Sequence, residues 1–220
     1  SHEIRTPLNA ILGFSEILME TEDAADKQEY FKIIRSNNDL LLNLINDILD
    51  ISRIESDKME FMYTDTDVNQ LMKEWVSAAQ MRLGHQKIKI HSEVGLPKCH
   101  LRMERNRITQ VVMNLVNNAI KFTSEGSITI GYELTSDKKD LYFYVQDTGC
   151  GIPADQTEKV FGRFVKLNSF AQGTGLGLSI CQTIIRKMHG RIGVKSIEGA
   201  GSEFWFMLPY KPIKKHKEEE

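Results

Sequence analysis

The chain predicts an α+β protein built in two parts, a helical hairpin followed by a sandwich of strands and helices. Three observations carry this. Residues 1–55 place apolar side chains at helical spacing in two stretches separated by a polar break. From about residue 59 the pattern changes to short alternating runs between helical ones. Those alternating runs come mostly in neighbouring pairs, the mark of hairpins rather than of repeated βαβ units.

In the first part, Ile4, Leu8, Ile11, Ser15 and Leu18 mark one helical stripe. Phe31, Ile34, Asn38, Leu41, Ile45 and Ile48 mark a second, alternating by three and four as a coiled-coil seam does. Residues 21–27 are polar and acidic and predict the turn. Two such helices are too thin to bury their apolar faces, so pairing of two hairpins into a dimeric four-helix bundle is the natural solution; packing on the rest of the same chain is the alternative. Residues 53–58 are charged and predict the end of the second helix. Beyond them the sequence predicts a strand at 59–63, a helix at 68–83, a strand at 87–91 and a long helix at 104–122. Strands at 127–134 and 141–146 follow, then a helix at 176–188 and a closing hairpin of 191–197 with 203–208 over Gly199-Ala200-Gly201. This divides the chain into residues 1–58, residues 59–212 and a charged, frayed tail at 213–220.

The 220 residues are 41% hydrophobic and 26% charged, ordinary for one or two globular domains. A net charge of −2 with mixed signs gives no electrostatic case for nucleic acid as a partner. Cys99, Cys150 and Cys181 are odd in number, lack metal-like spacing and fit a reduced, cytoplasmic compartment. No apolar run reaches the roughly 18 residues of a membrane span, so this stretch predicts no membrane contact of its own. The first residues are already a motif, so the chain reads as a fragment; an anchor in the parent would place it on the cytoplasmic face of an inner membrane.

That motif is Ser1-His2-Glu3-Ile4-Arg5-Thr6-Pro7-Leu8. A neutral imidazole is a good nucleophile near its pKa of about 6.5. Attack needs one ring nitrogen bare and the other protonated, and a carboxylate such as Glu3 can hold that second proton. Arg5 and Thr6 lie three and four residues on and share the His2 face, where one can neutralise and the other hold water. Pro7 inside a helix costs about 3 kcal/mol and predicts a kink beside the histidine. A His-Glu pair alone would read as chance, with Pro7 at the helix start and Thr6 its cap; the full octet ahead of an amphipathic hairpin favours the chemical reading.

On the long helix, Ile108, Val112, Leu115, Ala119 and Phe122 form the apolar face, and Asn114, Asn118 and Lys121 a second stripe. Asparagine is a mediocre helix former. Its amide oxygens suit a hard cation that bridges to phosphates, and Lys121 adds a point charge. Taken alone, the stripe reads first as a solvated face. Asp147-Thr148-Gly149-Cys150-Gly151-Ile152 follows an alternating strand; alone it is a common turn. Gly173-Thr174-Gly175-Leu176-Gly177 opens a helix whose free N–H groups can cradle phosphate, without Rossmann or P-loop spacing.

In this order the motifs resemble the catalytic core of a two-component sensor histidine kinase of the HisKA type, and the resemblance spans nearly the whole chain. It implies an α/β-sandwich ATP-binding domain shared with gyrase and chaperone ATPases. The octet resembles the H box, giving His2 the phosphoacceptor role, Glu3 the acid–base role and Thr6 the positioning of a phosphatase water. Asn114 to Phe122 resembles the N box, with Asn118 as leading Mg²⁺ ligand, Asn114 supporting metal or phosphate, and Lys121 on phosphate. Asp147, Gly149, Gly151 and Ile152 match the G1 box around adenine, with Cys150 at a variable position. Gly173, Thr174, Gly175, Leu176 and Gly177 match the G2 box, preceded by a lid at 167–172. Phe161-Gly162-Arg163-Phe164 resembles the F box, with both phenylalanines as core anchors, Arg163 toward the γ-phosphate, and Gly162 in place of the usual acidic residue loosening the turn.

The resemblance thus implies ATP and Mg²⁺ as cofactors, a homodimer, and transfer from His2 to an aspartate of a response regulator receiver domain docked near Leu12, Ser15 and Met19. A helix that ordinarily continues upstream of the histidine leaves His2 at a frayed end here, which predicts weaker autophosphorylation than in a longer form. Two other readings remain: a dimeric scaffold with ATP as allosteric ligand, and a clamp ATPase. The clamp relatives carry a glutamate where this chain has Asn114.

Overall fold

The computed structural model describes residues 2–56, 61–84, 86–165 and 174–211, without the side chains of His2 and Glu55. The expected lid at 167–172, Gly173 and the 213–220 tail lie outside the described residues. Two helices open the chain, α1 (His2–Glu20) and α2 (Ala24–Glu55). Pro7 sits buried inside α1, so the helix does not begin at the proline. The turn is shorter than the polar run suggested: Asp23 caps α2 by accepting from Ala25 and Asp26 N–H groups at 2.8 and 3.0 Å. An aspartate in that place satisfies two of the four N–H groups a helix start leaves unpaired.

Ile4, Pro7, Ile11, Phe14 and Leu18 are half-buried or buried along α1, and Ile33, Leu40, Leu44 and Ile51 along α2. Phe14 meets Tyr30 with ring centroids 5.7 Å apart. The expected seam is redistributed. Phe31, Asn38, Ile45 and Ile48 are exposed, as are Leu42 and Leu49, whereas Ile34 and Leu41 turn partly into the hairpin. One apolar face of the hairpin is therefore used within the chain and another is left outward.

The rest of the chain forms a five-stranded sheet, a two-stranded ribbon and three helices. The ribbon pairs β1 (Thr64–Asp67) antiparallel with β3 (His100–Met103). The sheet holds β2 (Lys87–Val94), β4 (Glu125–Leu134), β5 (Asp140–Asp147), β6 (Arg191–Ile197) and β7 (Gly201–Pro209), in the order β2-β4-β5-β7-β6. Its pairs are antiparallel except β2 with β4. That parallel pair needs a crossover, which α4 (Arg105–Phe122) supplies. The helices α3 (Val68–Leu83), α4 and α5 (Gly177–Lys187) cover one face.

Three expectations change here. The first strand is not at 59–63: residues 57–60 are outside the described set, 61–63 are irregular, and the strand is Thr64–Asp67. Its Thr-Asp-Thr-Asp sequence hides it, because only Thr66 turns inward. The four-residue partner β3 is also missed, its signal reduced to inward Leu101 and Met103. Finally, β2 runs on to Val94 through polar residues that face solvent.

The core lies between the sheet and its helices. Phe143 of β5, 1% exposed, stacks on Phe206 at 4.9 Å and meets Tyr132 and Trp75 at 5.6 and 6.3 Å. The Trp75 indole N–H is satisfied by Thr109 Oγ1 at 3.0 Å. Truncating Phe143 to alanine should lower the unfolding free energy by about 3–5 kcal/mol, read as a drop in the denaturant midpoint at unchanged m-value.

Candidate active site

The apolar face of α4, with Ile108, Val112, Leu115 and Ala119 at most 3% exposed, packs on the core and fixes the rotation of the helix. Asn114 and Asn118 then fall together on its half-buried side, with Asn118 Nδ2 donating to Asn114 Oδ1 at 3.5 Å. Two amide groups one turn apart can offer oxygens to one cation. Asn117 does not join them: it is exposed and its Oδ1 accepts from Arg82 Nη1 at 2.5 Å. Lys121 Nζ lies 4.9 Å from the centroid of the Phe122 ring. Phe122 is 37% exposed, so it leaves the apolar face assigned to it and closes the helix at the rim.

Asp147 ends β5 and is 6% exposed. Burial pushes its carboxyl above the usual range, and backbone N–H groups of Gly149 (2.9 Å to Oδ1) and Ser202 pull the other way. The loop after it is held to α4, since Cys150 N donates to the Phe122 carbonyl at 3.2 Å. Gly149 is required there: a Cβ would lie 2.3 Å from that same carbonyl oxygen. Ile152 is buried and its N–H donates to Ser196 Oγ at 2.8 Å; Gly151 before it lies against the Ile197 carbonyl oxygen, 2.1 Å from where a Cβ would stand.

Thr174 is buried, and its Oγ1 accepts from Leu176 N at 3.2 Å at the start of α5. Leu176 is fully buried and begins the α5 ladder, its carbonyl accepting from Ile180 N. Gly177 lets α5 touch α4, because a Cβ there would stand 2.3 Å from Asn114 Nδ2. The Gly175 carbonyl accepts from Phe164 N at 2.8 Å, which ties the 161–164 turn to the same helix start. That turn differs from expectation in one residue. Phe161 is a core anchor, edge-on to Phe204 at 6.4 Å, but Phe164 is 57% exposed with a left-handed backbone that turns its ring outward. Gly162 N donates to the Lys159 carbonyl at 2.9 Å. Arg163 is exposed and lines a cleft with Ile51 and Ile54 of α2 and Arg186 of α5.

The sheet domain is held against α2 by a polar pair. Thr174 Oγ1 donates to Asp47 Oδ2 at 2.7 Å. One turn on, Asp50 receives Arg107 Nη1 at 3.0 Å and Gln110 Nε2 at 2.6 Å. Glu3 is half-buried and Thr6 exposed on α1, where His2 stands in the first turn. Among the described residues no group of three or more His, Cys, Asp or Glu side chains could hold a metal ion.

Residues 103–212 match the histidine kinase-, DNA gyrase B- and HSP90-like ATPases, and residues 1–57 match the His Kinase A phospho-acceptor domain. The chain belongs to the histidine kinases. Among relatives of this histidine kinase, the aerobic respiration control sensor protein ArcB of Escherichia coli K12 is 34% identical over 211 residues, 93% of this chain and 27% of ArcB. The sensor protein GacS of Pseudomonas syringae is 37% identical over all of this chain and 25% of its own length. The kinase chain thus spans about a quarter of these relatives. Full-length ShkA, solved with AMPPNP, superposes with TM-score 0.76 at 30% identity, over 96% of this chain and 45% of ShkA. The histidine kinase ThkA, solved with the response regulator TrrA, gives 0.77 at 30% identity, over 96% and 60%.

The reading of this kinase from sequence missed Asp47, Asp50 and Gln110. Their signal was present: two carboxylates three residues apart, both half-buried, on a helix face otherwise lined by leucine and isoleucine. It also missed Ser202, whose backbone N–H reaches the Asp147 carboxylate and whose neighbour Gly201 reads in sequence as a turn residue.

Proposed function

We propose that this chain uses ATP and Mg²⁺ to phosphorylate its own His2 and passes the phosphoryl group to an aspartate of a response regulator. The observation that carries this reading is the juxtaposition of the α5 start with the hairpin near the level of His2. Phe14 faces Tyr30, so equal rise along antiparallel helices sets His2 level with about residue 42. Asp47, bonded to Thr174, lies only about 7–8 Å further along α2.

In this reading the phosphoacceptor unit is residues 1–58 and the nucleotide-binding unit 59–212. Asp147 accepts from the adenine amino group, and its burial removes competing water. The first turn of α5 and Lys121 hold phosphates, with Thr174, Gly175, Leu176 and Gly177 supplying the turn, and Arg163 neutralises the γ-phosphate. Asn118 and Asn114 hold Mg²⁺, which when bound offsets phosphate charge. A neutral His2 nitrogen attacks the γ-phosphorus; an N–P bond forms, the bond to the β-bridging oxygen breaks, and ADP leaves. Glu3 holds the proton on the other ring nitrogen, and Thr6 positions water for dephosphorylation of the regulator. Exposed Leu12 and Met19, with half-buried Ser15, form the regulator's docking strip.

The experiment is incubation with Mg²⁺ and γ-phosphate-labelled ATP, followed by a receiver domain. Acid-labile, alkali-stable label that moves to the receiver is expected. Binding of ATP without label, in this chain and in one extended upstream, would leave the scaffold reading in its place.

The exposed stripe of Phe31, Leu42, Ile45, Ile48 and Leu49 fits a second copy of the hairpin, giving a four-helix bundle. An Ile45→Asp variant should shift the dimer to monomer by at least about tenfold in dissociation constant, measured by analytical ultracentrifugation, because a buried unpaired charge is costly. Cytoplasmic placement is part of the same proposal; among the described residues no helix is long and apolar enough to cross a membrane.

A further inference from the structure

Asp47 occupies an unexpected place for a carboxylate. It projects from the phosphoacceptor hairpin to the start of α5, the helix end suited to negative charge. The link is direct: Thr174 Oγ1 accepts from Leu176 N–H in the entry to α5 and donates its own proton to Asp47 Oδ2 at 2.7 Å. Nothing about hairpin packing asks for an acid at position 47. Its neighbours on that face are Leu40, Leu44, Ile51 and Ile54, and burial there raises its carboxyl above the ordinary range. The adjacent Asp50 is differently placed, since it faces the Arg107 cation and the Gln110 amide and is a matched ion pair. What Asp47 meets is a hydroxyl at a positive helix end.

We propose that Asp47 is an internal competitor for the phosphate end of the nucleotide, docking the α5 start onto α2 until phosphates displace it. The inference rests on the reading of this site as the ATP site. A carboxylate and a polyphosphate cannot share one helix start without repulsion, so entry of ATP must move Asp47 away from Thr174. Release of Asp47 leaves in place the polar anchor of Asp50 with Arg107 and Gln110, one turn along the same helix. The sheet domain is thereby freed at the nucleotide end and kept at the other. The contact couples nucleotide binding to detachment from α2: ATP weakens the Asp47–Thr174 contact by the same free energy by which that contact weakens ATP binding.

The test compares Asp47→Asn, which keeps size and removes charge, with Asp47→Ala and the parent chain. Equilibrium dissociation constants are measured for ATP and for adenosine. Adenosine occupies the base end alone and should change less than about twofold, whereas ATP should bind about three- to tenfold tighter to both variants, the range expected for one charge at a helix end. Unchanged or weaker ATP binding in both variants, with the parent binding normally, overturns the inference and leaves the ATP reading intact. An equal gain for adenosine and ATP also overturns it, since that would mark general loosening instead of competition for phosphate. Failure of the parent and both variants to bind any adenine nucleotide removes the ATP reading, and the competition with it.

Discussion

A His2→Ala variant should show no acid-labile phosphoryl label, a loss of at least about 1,000-fold in rate, while ATP affinity stays within about twofold of the parent. The asymmetry follows from the fold. His2 stands on α1, and the residues assigned to nucleotide sit on α4, α5 and the end of β5. Removing the assigned nucleophile should delete the reaction and leave the groups assigned to ATP untouched. Quench-flow labelling beside a fluorescent-nucleotide titration separates the two quantities. Residual label at near-parental rate would mean that another side chain is the acceptor, and the assignment of His2 would fall.

The second large effect belongs to Asp147. Its substitution by asparagine keeps the shape and removes the charge, and nucleotide affinity should fall by about 10- to 100-fold, the scale of one hydrogen bond to a charged group. The stability of the protein without nucleotide should move the other way or not at all. Burial raises the carboxyl pKa in the fold, so the folded state binds protons more tightly than the unfolded one. Such a group adds stability at low pH that is lost as pH rises through its folded pKa, so its ionised form disfavours the fold at neutral pH. Asparagine removes that penalty. The same shift gives ATP binding a pH dependence: affinity should decline on acidification from a pH above the ordinary carboxylate range, and the decline should vanish in Asp147→Asn. Calorimetric titration across that range, with thermal unfolding beside it, checks both signs. A destabilised variant with unchanged nucleotide affinity would make Asp147 a structural residue only.

The parts of the fold that could be read in advance are those where one residue type is repeated at one period. The helix carrying Ile108, Val112, Leu115 and Ala119 is such a case, as are the strands bearing Ile128, Ile130, Phe143 and Val145. Where the period is short or its residues are polar, the sequence is silent. Thr64 to Asp67 pairs with His100 to Met103 through backbone hydrogen bonds, which any side chain permits. The site divides in the same manner. Motif residues on α4, α5 and the end of β5 became candidates through the resemblance of the whole motif set, because alone the asparagine stripe reads as a solvated face and the Asp147 segment as a common turn. Phe122 and Phe164 misled because apolar character says nothing of direction; one ends a helix and the other sits on left-handed backbone. Asp47 and Asp50 became meaningful only once the fold set them against Thr174 and Arg107, more than fifty residues away in sequence.

Gly177 has a consequence for how this enzyme must work mechanically. With no side chain at that point, the backbone of α5 rests directly against the amide of Asn114. The amide assigned to metal and the turn assigned to phosphate therefore meet at one contact between α4 and α5. A single methyl group at 177 would push the Asn114 amide aside, disturbing the group assigned to the cation while leaving Asp147, on the end of β5, in place.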